Sequence, residues 1–227
     1  MKRSELNAII KSAVEFTRSM NYSLPPFAFW GPEEWADKGH EYDEIRDNML
    51  GWDITDFGSG NYQKMGLLMF TLRNGNFNLE KYVKPYAEKF LIVEEEQITP
   101  FHFHWSKMED IINRGGGNLM VQVYNSTEEG GFAGTPVQIS MDGRNFEVEA
   151  GAILRLTPGE SITLPSGQYH KFWGEKGTGK ILLGEVSKVN DDRVDNRFYD
   201  NVGRFPEIEE DEAPIFLLCN EYPPAKD

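Results

Sequence analysis

Cysteine is almost absent from this chain: Cys219 is the single one among 227 residues. One thiol excludes an internal disulfide framework and fits a reducing compartment. No apolar run is long enough to span a bilayer as a helix. The opening residues, Met1 to Asn7, lack the continuous apolar stretch of a secretory signal. A soluble, cytoplasmic protein is expected. Positive charge is also short, with 23 Lys and Arg against 37 Asp and Glu and a net charge of -14. Such a chain repels phosphate backbones and anionic lipid and has no basic patch for counterion release, which sets aside nucleic acid and membrane partners. The acidity serves solubility. Histidine is scarce too, with four in all.

What is abundant is aromatic: 13% of the chain, including 15 Phe. Rings fit the half-buried pleated surface of a sheet. The length suits one all-β barrel and buries a core without staples. Residues 4–20 carry Leu6, Ile9, Ile10, Val14 and Phe16 at helical spacing, with Ser4 as N-cap and Leu24-Pro25-Pro26 as the stop. A second short helix is expected from Pro32 through Ala36. Both should pack on the outside of the remaining chain. From about residue 50 the pattern becomes strands: 66–72, 87–93, 119–124, 137–141, 145–148, 152–156, 161–164, 170–173 and 181–187. The segment 126–134 reads as a loop, and Ile215–Cys219 as a last strand. Many short strands punctuated by Gly and Pro argue for a barrel or sandwich. No repeat, low-complexity stretch or linker divides the chain. One domain over 1–227 is expected, with a helical extension over 1–45 and a β-barrel core over 50–220.

Three of the histidines fall in two neighbourhoods. The first runs Phe101-His102-Phe103-His104-Trp105-Ser106-Lys107-Met108-Glu109. On a strand, His102 and His104 share one face while Phe101, Phe103 and Trp105 point to the other. Two imidazoles on one face can chelate one ion. Strand parity sends Glu109 to the wrong face, so a turn at 106–108 is needed to return its carboxylate as a third ligand. In the second neighbourhood, a turn at Pro165-Ser166-Gly167 delivers His170 onto a new strand. A barrel can fold His170 against the first pair. One isolated histidine on an apolar strand is ordinarily a core residue; the joint pattern is what points to a metal. His40 has no such context and reads as a surface or helix-end residue.

Seven residues stay open between chemistry and plain structure. Lys107 lies in the turn between two presumed ligands, beside a metal or merely solvated. Glu185 sits in the apolar strand Ile181–Ser187, sharing a face with Leu183 and Ser187. A carboxylate there is costly to bury unless paired or functional, and partial burial facing a pocket suits it to proton transfer; the other reading is an edge position facing water. Trp105 and Phe172 line a pocket or, more ordinarily, fill the core. Asp191, Asp192 and Arg193 close over substrate or form a solvated loop.

The first neighbourhood resembles cupin motif one, G(X)5HXH(X)3-4E(X)6G, through His102, His104, Glu109 and Gly116, with Glu96 in place of the leading glycine. The second resembles motif two, G(X)5PXG(X)2H(X)3N, through Gly159, Pro165, Gly167 and His170, with Gly174 in place of the final Asn. Both departures concern turns rather than ligands. The resemblance implies an all-β, double-stranded β-helix barrel (a jelly roll) with His102, His104, Glu109 and His170 holding one divalent ion in its mouth. Mn, Fe, Co, Ni and Zn all accept that ligand set.

Beyond the motifs, the whole chain is similar to the D-lyxose isomerase family of cupins. The likeness includes Phe27-Ala28-Phe29-Trp30, Gly51-Trp52-Asp53-Ile54-Thr55-Asp56-Phe57-Gly58 and Gly184-Glu185-Val186-Ser187. It implies a Mn-dependent homodimer interconverting D-lyxose with D-xylulose and D-mannose with D-fructose. The chain also resembles the L-ribose isomerase cupins, which use a turn lysine and a later-strand carboxylate; Lys107 and Glu185 occupy comparable places. The implied mechanism chelates the C1 and C2 oxygens of the open-chain sugar. Glu185 moves the proton through a cis-enediol and Lys107 steadies charge on oxygen, with a hydride shift as the competing path. An iron-dependent cupin dioxygenase and a non-catalytic sugar-binding cupin are the rival readings.

Overall fold

A computed structural model describes residues 1–189 and 191–226. Three helices come first: α1 (Arg3–Ser19), α2 (Pro32–Ala36) and α3 (Asp43–Asp47), with 3-10 turns at Pro26–Phe29 and His40–Tyr42. Thirteen strands come after them: β1 (Gly51–Thr55), β2 (Leu67–Arg73), β3 (Tyr86–Val93), β4 (Ile98–His104), β5 (Glu109–Gly116), β6 (Leu119–Asn125), β7 (Val137–Met141), β8 (Arg144–Val148), β9 (Ile153–Leu156), β10 (Ser161–Leu164), β11 (Gln168–Gly174), β12 (Ile181–Lys188) and β13 (Asn196–Phe198). They form two antiparallel sheets. The larger runs β1-β2-β3-β12-β5-β10-β7-β8 and the smaller β13-β4-β11-β6-β9. This is the all-β cupin architecture expected from the sequence. Among the described residues no helix is long and apolar enough to cross a membrane.

The inner faces of the two sheets meet over one core. Leu67, Met69, Leu91, Val93, Ile111 and Leu183 of the larger sheet pack with Val121, Val123 and Phe172 of the smaller. Much of the other face of β1 and β2, and the adjoining parts of β3 and β12, is buried as well. There Trp52, Ile54, Leu68, Phe70, Phe90, Ile92 and Leu182 receive Leu6, Ile10, Ala13 and Val14 of α1. A strand segment buried on both faces needs apolar residues at every position, which explains the apolar runs Leu67–Phe70 of β2 and Phe90–Val93 of β3.

Two elements differ from expectation. Ser4 lies inside α1, and Lys2 holds the N-cap position without a side-chain bond. The capping acceptor arrives from the far end of the chain: Ser4 N and Oγ donate to Asp211 at 2.9 and 2.7 Å. Ile215–Cys219 forms no strand and touches the sheet through a bridge between Leu218 and Trp52. Cys219 N–H still donates to Trp52 O at 2.7 Å, but Ile215 N–H goes to Asn7 Oδ1 at 3.0 Å and Leu218 N–H to the Glu221 carboxylate at 2.8 Å rather than to a ladder. His40 is exposed, 2.9 Å from Asp43.

The two departures from the cupin motifs lie against each other. Glu96 N–H donates to Gly174 O at 2.8 Å. Glu96 adopts φ +57°, the left-handed conformation that makes glycine usual at its place. A Cβ on Gly174 would stand 2.4 Å from Glu94 O. Restoring the motif residue with Gly174→Asn is therefore expected to destabilise by about 1–3 kcal/mol through overpacking. Urea denaturation measures this, and unchanged stability would refute the close approach.

Candidate active site

Register brings the histidines together. β4 carries His102 and His104 on its inner face, and β11 pairs alongside with His170 directly opposite His102. Ring centroids of His102 and His170 are 4.1 Å apart. One ligand nitrogen from each of His102, His104 and His170 lies within 4.8 Å of the others, and all three residues are buried. The chain then turns at residues 105–108. Glu109 opens β5 in the opposite sheet, between Leu164 of β10 and Ser187 of β12. Its Oε1 stands 3.2 Å from His104 Nε2 and 3.3 Å from His170 Nε2. The carboxylate thus reaches the imidazoles across the barrel interior.

The donor set fits a cation. His102 Nδ1 donates to Pro100 O at 2.8 Å and His170 Nδ1 to Gln168 O at 3.1 Å. A carbonyl only accepts, so both rings carry the proton on Nδ1 and turn the Nε2 lone pair inward. His170 Nε2 is buried without a hydrogen-bond partner while facing the Glu109 oxygen. Acceptor against acceptor is repulsive unless a cation lies between them. Burial, with the neighbouring His170 and His104, pushes the His102 pKa well below its usual value. Burial and Lys107 lower that of His104. Both rings therefore stay neutral at pH 7, as ligation requires. Burial alone would raise the Glu109 carboxyl, but Lys107 and His104 outweigh it and hold it well below the carboxylate range.

Lys107 is 2% exposed, with Nζ 2.6 Å from Glu109 Oε2 and 3.0 Å from Glu185 Oε1. Burial would depress its pKa, yet Glu109, Glu185 and Asp192 together raise it above the ordinary lysine value. It is a fixed ammonium, a donor rather than a base. Glu185 is 3% exposed on the inner face of β12. Its closest contacts, from Lys107, Lys89 at 3.2 Å and Ser187 Oγ at 3.2 Å, all fall on Oε1. Oε2 is the less encumbered oxygen.

Several charged residues here escaped sequence reasoning. Lys89 Nζ also pairs with Asp192 Oδ2 at 2.9 Å, and Arg204 reaches Asp192 at 4.0 Å and grips Asp53 with two nitrogens. Burial would raise the Asp192 carboxyl, but Lys89, Lys107 and Arg204 hold it far below its usual range. Lys89 gave the same signal as Glu185, a charge in an apolar strand. Asp53 and Arg204 gave none, because they meet only in the fold. The Asp191–Arg193 cluster splits: Asp191 and Arg193 pair with each other at the surface, while Asp192 turns inward. Along the line Glu109, Lys107, Glu185, Lys89, Asp192, Arg204, Asp53, four carboxylates face three cations, a formal surplus of one negative charge.

All of these groups except Asp53 line a pocket whose remaining wall includes Phe57, Met69, Phe172 and Phe198. Phe172 serves both pocket and core. Trp105 serves neither: it is 62% exposed, packed edge-on against Phe103 outside the barrel, because β4 ends at His104 and the turn carries the ring outward.

The D-lyxose isomerase family model matches residues 1–222. The chain belongs to the D-lyxose isomerase family. It is 48% identical over 223 residues to the D-lyxose/D-mannose isomerases of Serratia proteamaculans and of Escherichia coli O157:H7, covering 98% of each chain in both cases. Membership makes it a sugar ketol-isomerase and sets aside the dioxygenase and the non-catalytic module. Among solved structures, the ligand-free L-ribose isomerase of Cellulomonas parahominis matches with a TM-score of 0.62 at 15% identity, covering 92% of this chain and 98% of that one. The L-ribose isomerase of Geodermatophilus obscurus matches with 0.60 at 14% identity and the same coverage. At these identities the likeness is one of fold.

Two outcomes are expected from the geometry. His102→Ala and His170→Ala should lose divalent metal on dialysis against a chelator that the parent protein withstands; equal metal content by elemental analysis would refute the site. His102 and His104 resist protonation in the fold but not in the unfolded chain, so the unfolded chain binds more protons as pH falls below about 6.5. The metal-free protein should therefore melt progressively lower from about pH 7.5 to about pH 5.5 in a thermal scan, whereas a flat profile would contradict the lowered values.

Proposed function

We propose that this isomerase interconverts D-lyxose with D-xylulose and D-mannose with D-fructose, with Mn²⁺ held by His102, His104, Glu109 and His170. The observation that carries this reading is three convergent buried imidazoles at one pocket, beside a lysine that bridges two carboxylates. Bound there, the ion supplies Lewis-acid polarisation of the sugar carbonyl. The protein does the rest. Glu185, through Oε2, carries the proton between C2 and C1 along a cis-enediol path. Lys107, fixed as an ammonium, stabilises negative charge developing on the sugar oxygen. Lys89, Asp192 and Arg204 offer hydrogen-bond partners to the remaining hydroxyls, and Phe57 and Phe198 cover the sugar's C–H faces while excluding water. A hydride shift would leave Glu185 without this task. Zn, Co, Ni and Fe suit the same donors, and Mn²⁺ is favoured by family likeness. The protein acts in the cytoplasm as one cupin domain and as a homodimer in this reading.

Glu185→Gln is expected to retain the metal and to lose turnover by about 10²–10⁴-fold. The assay offers D-lyxose and D-mannose to metal-stripped protein with and without Mn²⁺ and measures ketose. Full activity of the variant removes Glu185 from proton transfer. Ketose formation indifferent to every divalent ion overturns the metal assignment.

A further inference from the structure

The turn that carries Lys107 is held from outside by a residue with no contact to the imidazoles. Asp195 lies on the segment after β12, next to β13, and is 7% exposed. Its Oδ1 accepts from Ser106 N–H at 2.9 Å and Ser106 Oγ at 2.7 Å. Its Oδ2 accepts from Lys107 N–H at 3.1 Å. Its carbonyl accepts from Trp105 N–H at 3.0 Å. Three successive backbone donors of the turn thus end on one residue. The turn is also tied to β12, from Lys188 N–H to Met108 O at 3.1 Å.

Asp195 is itself braced. Its N–H donates to Asp191 O at 2.9 Å, and the next residue, Asn196, opens β13 opposite His104. The Lys107 backbone is therefore clamped on the outer side while its side chain runs inward to Glu109 and Glu185. A lysine side chain has several free torsions, so its ammonium stays between two carboxylates only if its backbone is fixed. Charge-assisted bonds from a carboxylate to backbone N–H groups are the strong way to fix one.

We infer that Asp195 is a positioning residue for catalysis: by clamping the 105–107 backbone it sets where the Lys107 ammonium stands relative to Glu109 and Glu185. It touches neither metal nor sugar and acts through Lys107. The inference rests on the proposed role of Lys107 in stabilising charge on the sugar oxygen. Displacement of such a group by about 1 Å costs about 10²-fold in rate.

The test is a double-mutant cycle of Asp195→Ala and Lys107→Met on the metal-loaded full chain, with D-lyxose turnover measured by long-incubation NMR so that slow variants remain measurable. Asp195→Ala alone should lower kcat by about 10²-fold with metal content and KM little changed. Asp195→Asn, which keeps one acceptor oxygen, should recover part of the loss and guards against a folding defect in the alanine variant. In the Lys107→Met background Asp195→Ala should bring no further loss, since the group it positions is gone. An equal fractional loss in both backgrounds, or an unchanged kcat in Asp195→Ala, overturns the inference while leaving the role of Lys107 intact. Full activity of Lys107→Met alone instead overturns the role of Lys107, and the inference with it.

Discussion

The interior of this barrel depends on one ammonium group sealed between two carboxylates. Lys107 lies 2.6 Å from Glu109 and 3.0 Å from Glu185, with almost no exposure to water. A buried charge of that kind survives only when paired and hydrogen-bonded, and removing one partner of a buried pair costs about 3–5 kcal/mol. The pairing propagates. Glu185 takes a second cation in Lys89, Lys89 a second carboxylate in Asp192, and Arg204 closes the line at Asp53. Each member answers its neighbour's desolvation, so the line behaves as a unit rather than as separate bridges.

That unit explains how two sheets build one site. The imidazoles come from β4 and β11 of the smaller sheet, while Glu109 and Glu185 come from β5 and β12 of the larger. The inner faces are apolar over most of their area, and the charged line occupies one end of the space between them. The remaining core is the rigid support on which convergent donors stay convergent. The helices act from the other side: α1 packs on Phe90, Ile92 and Leu182 of the strands that carry Lys89 and Glu185, and strand alternation turns those two side chains inward.

The charges also divide the chemistry. Neutral imidazoles and an ionised Glu109 suit a cation, and the lysine held charged beside them suits an oxyanion. The carboxylate at its other end is left with one freer oxygen for a proton. Sugar isomerisation asks for these functions within the span of two adjacent carbons.

Much of this was written in local pattern. The HxH pair on one strand face, the turn returning Glu109 and the histidine after Pro165-Ser166-Gly167 come from two-residue strand periodicity and turn chemistry, which act over a few residues. Glu185 announced itself as a charge in an apolar strand, whereas Lys89 carried the same signal unread. The sequence by itself therefore determined the strand class, the helical preface and the residues with metal-binding chemistry. Tertiary structure alone decided the rest. Asp53 and Arg204 meet across 151 positions of sequence, and Asp195 reaches Ser106 across 89. Asp211 caps the helix through Ser4, 207 positions earlier, and Ile215 and Leu218 give their N–H groups to side chains instead of a ladder. No local spacing encodes such pairs, because which charges share a buried space is settled only when the sheets close over them and water is excluded.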